Sequence, residues 1–399
     1  MTTLDLPPPS FYHDTLNYAS EWSEYQNQLL AQLSSLTCFD LVFEGNEILI
    51  ACTSTGELCF FRLAHIGVDN EEDYSDNATF TDNSLKDTKT CFYRFQLTKG
   101  SLYSLKIQSD AEHTWLIVGG DGGVWLFDWN DVQGALNNSS AFNQPPKHNH
   151  FPLHPSPHEA AIDVNDTCFQ NGCLFGAAGD NFGCYKWDVA TGKLITTYPS
   201  KFLQTLTLVP DTNLLLTGGE EGVLSLWDTQ QDRRVDQLEI PYPSSKGSTN
   251  SIEKRGALPN CQTRLTCSIA RDENWWTIGG ERIHTLNMRQ QSVSDKGGFL
   301  ATFHGPTRSI VSQLELRETP QKLSFVDNNK NTLISVANES YVSHFQNPLA
   351  LENPERVWCH SPSVFAAAVS ENGILAVAGV GSTIDLYRNQ TELIGTVRL

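Results

Sequence analysis

Basic residues are scarce in this chain of 399 residues, where 27 Lys and Arg face 46 Asp and Glu for a formal net charge of −19. Binding to a phosphate backbone needs clustered cations that release counterions, so this balance argues against a folded body that grips DNA or RNA directly. No two cysteines are spaced C-x-x-C, although there are ten of them. That excludes a zinc ribbon or a thioredoxin-type redox motif, and no structural metal is expected. No apolar run approaches the roughly 18 residues that a membrane-spanning helix requires. The opening MTTLDLPPPSFYHD has no basic stretch followed by an apolar one, so it does not read as a secretory signal. Methionine is nearly absent, at two residues. A soluble protein in a reducing compartment is expected.

Glycine (28), proline (18) and aromatic residues (20 Phe, 11 Tyr, 9 Trp) are plentiful, which suits many strands and turns around a large core. Their order is repetitive. The clearest unit is LLLTGGEEGVLSLWD (214–228), in which an apolar strand ends in small residues, an acidic Gly turn follows, and an alternating strand closes on Trp-Asp. LFGAAGDNFGCYKWD (174–188) and LIVGGDGGVWLFD (116–128) repeat it. Weaker copies are ILIACTSTGELCFF (48–61), WWTIGGERIHTL (275–286), LISVANESYVSHF (333–345) and ILAVAGVGSTIDLY (374–387). The aromatic or apolar slot that closes each copy falls at Phe61, Phe127, Trp187, Trp227, Leu286, Phe345 and Tyr387. Some intervals match the roughly 40–45 residues of a WD repeat, and the longer ones leave room for a surface loop.

A further apolar strand precedes most copies (SLYSLKI, LQTLTLV, VFAAAVS) and another trails most of them, with KLITTYP closing the third, GFLATF the fifth and ELIGTV the last. Four strands per copy and seven copies predict an all-β, seven-bladed WD40-type propeller over residues 37–399. Small residues before each turn let wedge-shaped blades approach near the axis, and the turn Gly and Asp or Asn tolerate positive φ. The closing pairs Phe127-Asp128, Trp187-Asp188 and Trp227-Asp228 are expected to be structural, with the Trp227 indole donating to a hydroxyl such as Thr217. Because the last copy owns its trailing strand, closure by a strand borrowed from the N-terminus is not expected.

Outside the copies, residues 1–36 form a Pro-rich tail and an amphipathic helix. Ala19, Trp22, Gln26, Leu29, Leu30, Leu33 and Leu36 mark its face and Asp14 its cap. Such a helix either packs on the propeller's own edge or docks on a partner coiled coil, with Trp22, Leu29 and Leu33 as anchors. Residues 68–89, containing DNEEDYSDN, read as a solvated acidic loop. Residues 136–158 carry His148, His150, His154 and His158. With so much proline and no Cys, they read as a flexible linker rather than a metal site. Residues 241–262 are a polar loop with the small basic cluster Lys246, Lys254 and Arg255.

The stretches GGDGG (119–123) and GGEEG (218–222) join two strands instead of opening a helix, so they are hairpin turns and not phosphate loops. No nucleophile elbow and no H-E-x-x-H helix is written here, and no enzyme activity, cofactor or small-molecule substrate is expected.

In motif order the chain resembles the THO complex subunit 6 family, the WD-repeat subunits of the THO/TREX mRNA-export assembly. The resembling stretches are CTSTGELCFFRL, SLYSLKI ahead of GGDGG, GAAGDNFGCYKWDVATG, LLTGGEEGVLSLWDTQ, CSIARDENWWTIGGERIHTLNMR, ETPQKLSFVDNN and VAGVGSTIDLY. DENWWTIGG followed by a blade lacking Trp-Asp is the most particular of them. The resemblance implies a nuclear, non-catalytic scaffold whose partners are other THO subunits, the coiled-coil ones first, and which supports mRNA export. The long loops after Ala64 and Asn130 and the 241–262 segment depart from the family, so it implies nothing about contacts there. The rival reading is a substrate receptor of a cullin-type ubiquitin ligase. Its W-D-x-Arg/Lys ending is missing, because Gln230 follows Trp227-Asp228-Thr229 and Ala190 follows Asp188-Val189. A WD scaffold of another complex is the third.

Overall fold

Seven four-stranded antiparallel sheets follow one another along the chain, at residues 38–96, 102–152, 164–198, 203–239, 261–316, 320–358 and 364–398. The computed structural model describes residues 36–63, 91–110, 112–137, 144–153, 162–179, 183–241, 261–285, 294–326 and 330–399. Within each sheet the strands run in chain order from the axis outwards, and each inner strand packs on the inner strands of both neighbouring blades. The result is a seven-bladed, WD40-like β-propeller.

The blades pack because second and third strands are apolar on both faces. LLLTGG and VLSLWD in blade four are almost wholly buried, as a sheet sandwiched between two others must be. Outer strands such as Arg233–Glu239 are largely exposed. Near the axis the clearance is small. A Cβ on Gly218 would meet the Leu265 side chain of the next blade at 2.9 Å, so this position accepts nothing larger without displacement.

The ring closes without strand exchange. Blade seven holds its own outer strand, Glu392–Arg398, and the inner strands Cys38–Glu44 and Val364–Val369 pack side by side. The Gly381 N–H also donates to the Leu36 carbonyl at 2.8 Å, pinning the entry of the chain to the last blade.

Two expectations are corrected. Residues 136–158 are not simply a linker. A helix, α1 (Trp129–Leu136), ends where that segment begins, and Asn149–Pro152 is the outer strand of blade two. His150 stacks on Trp125 with ring centroids 4.8 Å apart and 9° between planes, and His148 packs against Phe127. Imidazole on indole supplies the cross-strand contact that aliphatic residues supply elsewhere, which is why no apolar alternation advertises the strand. In blade five the WWTIGGERIHTL stretch is not a hairpin. Trp275–Thr285 is one strand, Ser294–His304 is the third and Ser309–Leu316 the outer one. GGFLATF thus belongs to the third strand, and the closing slot is Phe303 instead of Leu286, which lies outside the described residues. Gly279 and Gly280 are needed for close approach here: their Cβ positions would meet Pro320 of the next blade and the Arg264 carbonyl.

Candidate functional site

The closing slots lie in the walls between blades. Phe127, Trp187 and Trp227 are at most 5% exposed, and the Trp227 Nε1–H donates to Thr217 Oγ1 at 3.1 Å. Tyr198 of the preceding blade stacks on the Trp227 ring at 4.9 Å and 10°. The aspartates that follow staple the turn beyond. Asp228 accepts from the Gln230 and Gln231 amides, and Asp128 accepts from Asn130 N at 2.9 Å and caps α1. Asp188 accepts from the amide and hydroxyl of Thr191, both at 2.6 Å, and those bonds hold its carboxyl below the usual aspartate range. None of these six residues faces the axis. Trp22, Leu29 and Leu33 lie outside the described residues.

The side chains that converge on open space come from the inner strands. Every inner strand carries a one-residue irregularity at the same register, between Cys38 and Asp40, Leu102 and Ser104, Val164 and Asp166, Leu203 and Thr205, Leu265 and Cys267, Pro320 and Lys322, and Val364 and Ala366. A bulge re-aims the extra residue. Those extra residues, Phe39, Tyr103, Asn165, Gln204, Thr266, Gln321 and Phe365, all line the axial channel, a cavity of about 350 Å³. They divide its mouth in two: Phe365, Phe39 and Tyr103 from blades seven, one and two form an aromatic side, and the amides and hydroxyl from blades three to six form a polar side.

The residue after each bulge decides the charge within. Asp40 accepts from the amides of Leu41 (2.7 Å) and Leu105 (2.8 Å) and from the Lys322 ammonium. Asp166 accepts from the amides of Thr167 (2.8 Å) and Leu206 (2.7 Å) and pairs with Lys106 at 2.7 Å. Each carboxylate thus ties its own inner strand to the next blade, and each cation in the channel already has a partner. Burial lowers the Lys322 ammonium to about 8. The two thiols in the wall, Cys168 and Cys267, are pushed up to about 12 by burial and stay protonated at neutral pH, which makes them poor nucleophiles. The channel therefore offers aromatic faces, fixed ion pairs and hydrogen-bonding groups, which is the equipment of a binding surface. Among the described residues no group of three or more His, Cys, Asp or Glu is placed to hold a metal ion.

The sequence contained a signal for this ring that the repeat pattern alone does not expose. Aligning the triplets that open each inner strand (CFD, LYS, VND, LQT, LTC, PQK, VFA) puts the channel-lining residue in the middle every time. The repeat reading concentrates on the turn and the closing Trp-Asp, which serve packing.

Comparison with known proteins agrees with the motif-order resemblance. The chain is 24% identical over 302 residues to an Arabidopsis thaliana protein named THO complex subunit 6, covering 72% of this chain and 71% of that protein. It is 21% identical over 321 residues to a Danio rerio protein named THO complex subunit 6 homolog, covering 79% and 86%. No protein-family model matches the chain. Among solved structures, the WD40 β-propeller domain of Doa1 superposes with a TM-score of 0.55 at 13% identity, covering 88% of this chain and 93% of that one, which is a likeness of fold alone.

Proposed function

We propose that this relative of the THO complex subunit 6 proteins is a non-catalytic scaffold subunit of a nuclear THO assembly, supporting its assembly and the coupling of transcription and splicing to mRNA export. The observation that carries the reading is the extent of the match. It runs over more than two thirds of the chain and of both relatives, in a fold whose open surfaces are built to bind. The propeller is rigid and acidic overall, so its work is protein contact and not a grip on the nucleic acid itself. The N-terminal segment 14–36 is the docking element. Trp22, Leu29 and Leu33 have the sequence spacing of one helical face, the apolar stripe that a coiled-coil subunit accepts, and a central Trp dominates such an interface.

The test is affinity purification of the tagged chain from nuclear extract, with and without nuclease. THO subunits recovered independently of RNA support the proposal; recovery of cullin adaptors alone would replace it with the ligase reading. Trp22→Ala and Leu29→Ala in a folded protein should each reduce THO recovery. If recovery is unchanged, the contact lies on the blades and the helix packs on its own propeller.

A further inference from the structure

Phe39 is the middle ring of the aromatic side of the channel mouth. Tyr103 lies 5.3 Å from it at 49° and Phe365 lies 6.0 Å from it at 59°, on the blades to either side. All three are partly exposed and line the same cavity. Three partly exposed rings gathered at one concavity offer an aromatic surface to which a cation seated there can be attracted. Nothing in the packing of the propeller calls for this arrangement: in the other four blades the same position holds Asn165, Gln204, Thr266 and Gln321.

The carboxylate beneath the rings decides which cation fits. Asp40 is already occupied by two backbone amides and Lys322. A primary ammonium entering the mouth would give up strongly bound water and find Asp40 already engaged. A quaternary ammonium has no N–H to leave unsatisfied, sheds its weak hydration easily, and gains the aromatic faces.

The approach to the mouth is acidic. The Tyr103 hydroxyl lies beside Asp121, with Asp163 next to it. On the opposite side the polar residues Gln204, Thr266 and Gln321 also line a groove bordered by Glu220 and Glu281. That groove continues past Gln321 to Glu318 and Glu339. Arg264, Arg317 and Arg356 offset part of this charge, and the chain as a whole carries −19. Such a surface attracts an extended basic peptide and holds it across blades four to six, with one side chain turned into the channel.

We propose that the aromatic mouth formed by Phe39, Tyr103 and Phe365 binds a trimethylated lysine side chain presented by a basic peptide. The proposal rests neither on the N-terminal segment nor on membership of a THO assembly.

Fluorescence anisotropy with the full chain tests it, using labelled Gly/Arg/Ser peptides of identical sequence that differ only at one central residue. That residue is lysine, trimethyllysine, or the neutral carbon isostere in which a tert-butyl group replaces trimethylammonium. The expected result is trimethyllysine binding at least about tenfold more tightly than both others, the size of effect a desolvated cation–π contact provides. Phe39→Ala and Phe365→Ala should abolish that preference while leaving the weak, salt-sensitive binding of the lysine peptide. Because the ligand series needs no variant, a variant that fails to fold leaves the result standing. Equal affinity for lysine and trimethyllysine, equal affinity for the neutral isostere, or no binding of any peptide at hundred-micromolar concentrations would each overturn the proposal. Choline competing as well as the trimethyllysine peptide itself would overturn the peptide assignment.

Discussion

Blades four and five are neighbours with the same topology, yet they are held together differently. Blade four is built of strands of 6, 6, 6 and 7 residues, and it closes with the Trp227 indole bonded to Thr217 and with Asp228 stapling the turn beyond. Blade five has strands of 10, 11, 11 and 8 residues and no Trp-Asp. Register nonetheless identifies its slot. Phe303 pairs with Trp276, the second residue of its second strand, as Trp227 pairs with Leu215, and an irregularity directly precedes Phe303 and Trp227 alike. The polar bond is replaced by a Thr277–Thr302 hydroxyl pair one register away, with the Thr302 hydroxyl also 2.6 Å from the Pro348 carbonyl. Beyond the turn-equivalent glycines the longer strands bury Arg282, whose guanidinium lies 4.7 Å over the Phe299 ring, pairs with Glu315 and donates to the Pro241 carbonyl. The lesson is that a blade needs a large buried ring at the slot. The Trp-Asp letters are one way of meeting that need.

The largest effects should come from emptying the slots. Trp227→Ala and Phe303→Ala should each cost about 3–5 kcal/mol, the range for truncating a buried aromatic. Urea unfolding followed by circular dichroism measures both, and a loss below about 1 kcal/mol at either would end the equivalence of the two positions. Next comes the contact between the blades. Gly218→Val drives a side chain into Leu265 and should destabilise by about 1–3 kcal/mol. Gly297→Ala, near the far end of blade five, has its nearest obstacle at 3.6 Å and should stay within about 0.5 kcal/mol. Thermal melts of the two variants side by side would show whether the tight axis and the looser periphery differ as the distances say.

Trp227→Phe imitates blade five inside blade four. It keeps most of the ring, removes the N–H to Thr217, and should cost about 1 kcal/mol. A cost equal to that of Trp227→Ala would show that the indole bond, not the volume, closes a WD blade. The smallest effect concerns the stapling aspartates, whose place in blade five is taken by His304 opposite Trp275. Asp188 has a folded pKa below its unfolded value, so it favours the folded state above the ordinary aspartate pKa of about 3.9, and that contribution disappears as pH falls through the folded value. The stability gap between wild type and Asp188→Ala should therefore be constant near neutrality and close in acid. A gap that widens on acidification would reverse the sign and remove the Thr191 bonds as its cause.

The same contrast explains which parts of the molecule the residues announce. Blades three and four are legible because Trp-Asp, a Gly turn and alternating apolar residues follow from local geometry. The position of blade five was legible, but its strand boundaries were not, because Gly279-Gly280 marks a turn in neighbouring copies and a close approach here. The outer strand of blade two was hidden because His148 and His150 find their partners on Trp125 and Phe127, a contact that exists only after the strands pair. The channel ring was written in seven aligned triplets, yet a bulge has no composition of its own, and nothing local distinguishes Phe39 or Phe365 as channel-lining from an ordinary buried Phe.

By itself, then, the sequence determined the number of blades, their order and the closing of the last blade with its own strand, since each depends on hydrophobic periodicity and turn chemistry within about 40 residues of chain. Only the tertiary structure decided that Phe39, Tyr103 and Phe365, which are far apart in sequence, share one mouth. It also decided that Asp40 is matched by Lys322 and Asp166 by Lys106. Those pairings cross from blade to blade around a common axis, and the axis exists only once all seven sheets have closed the ring.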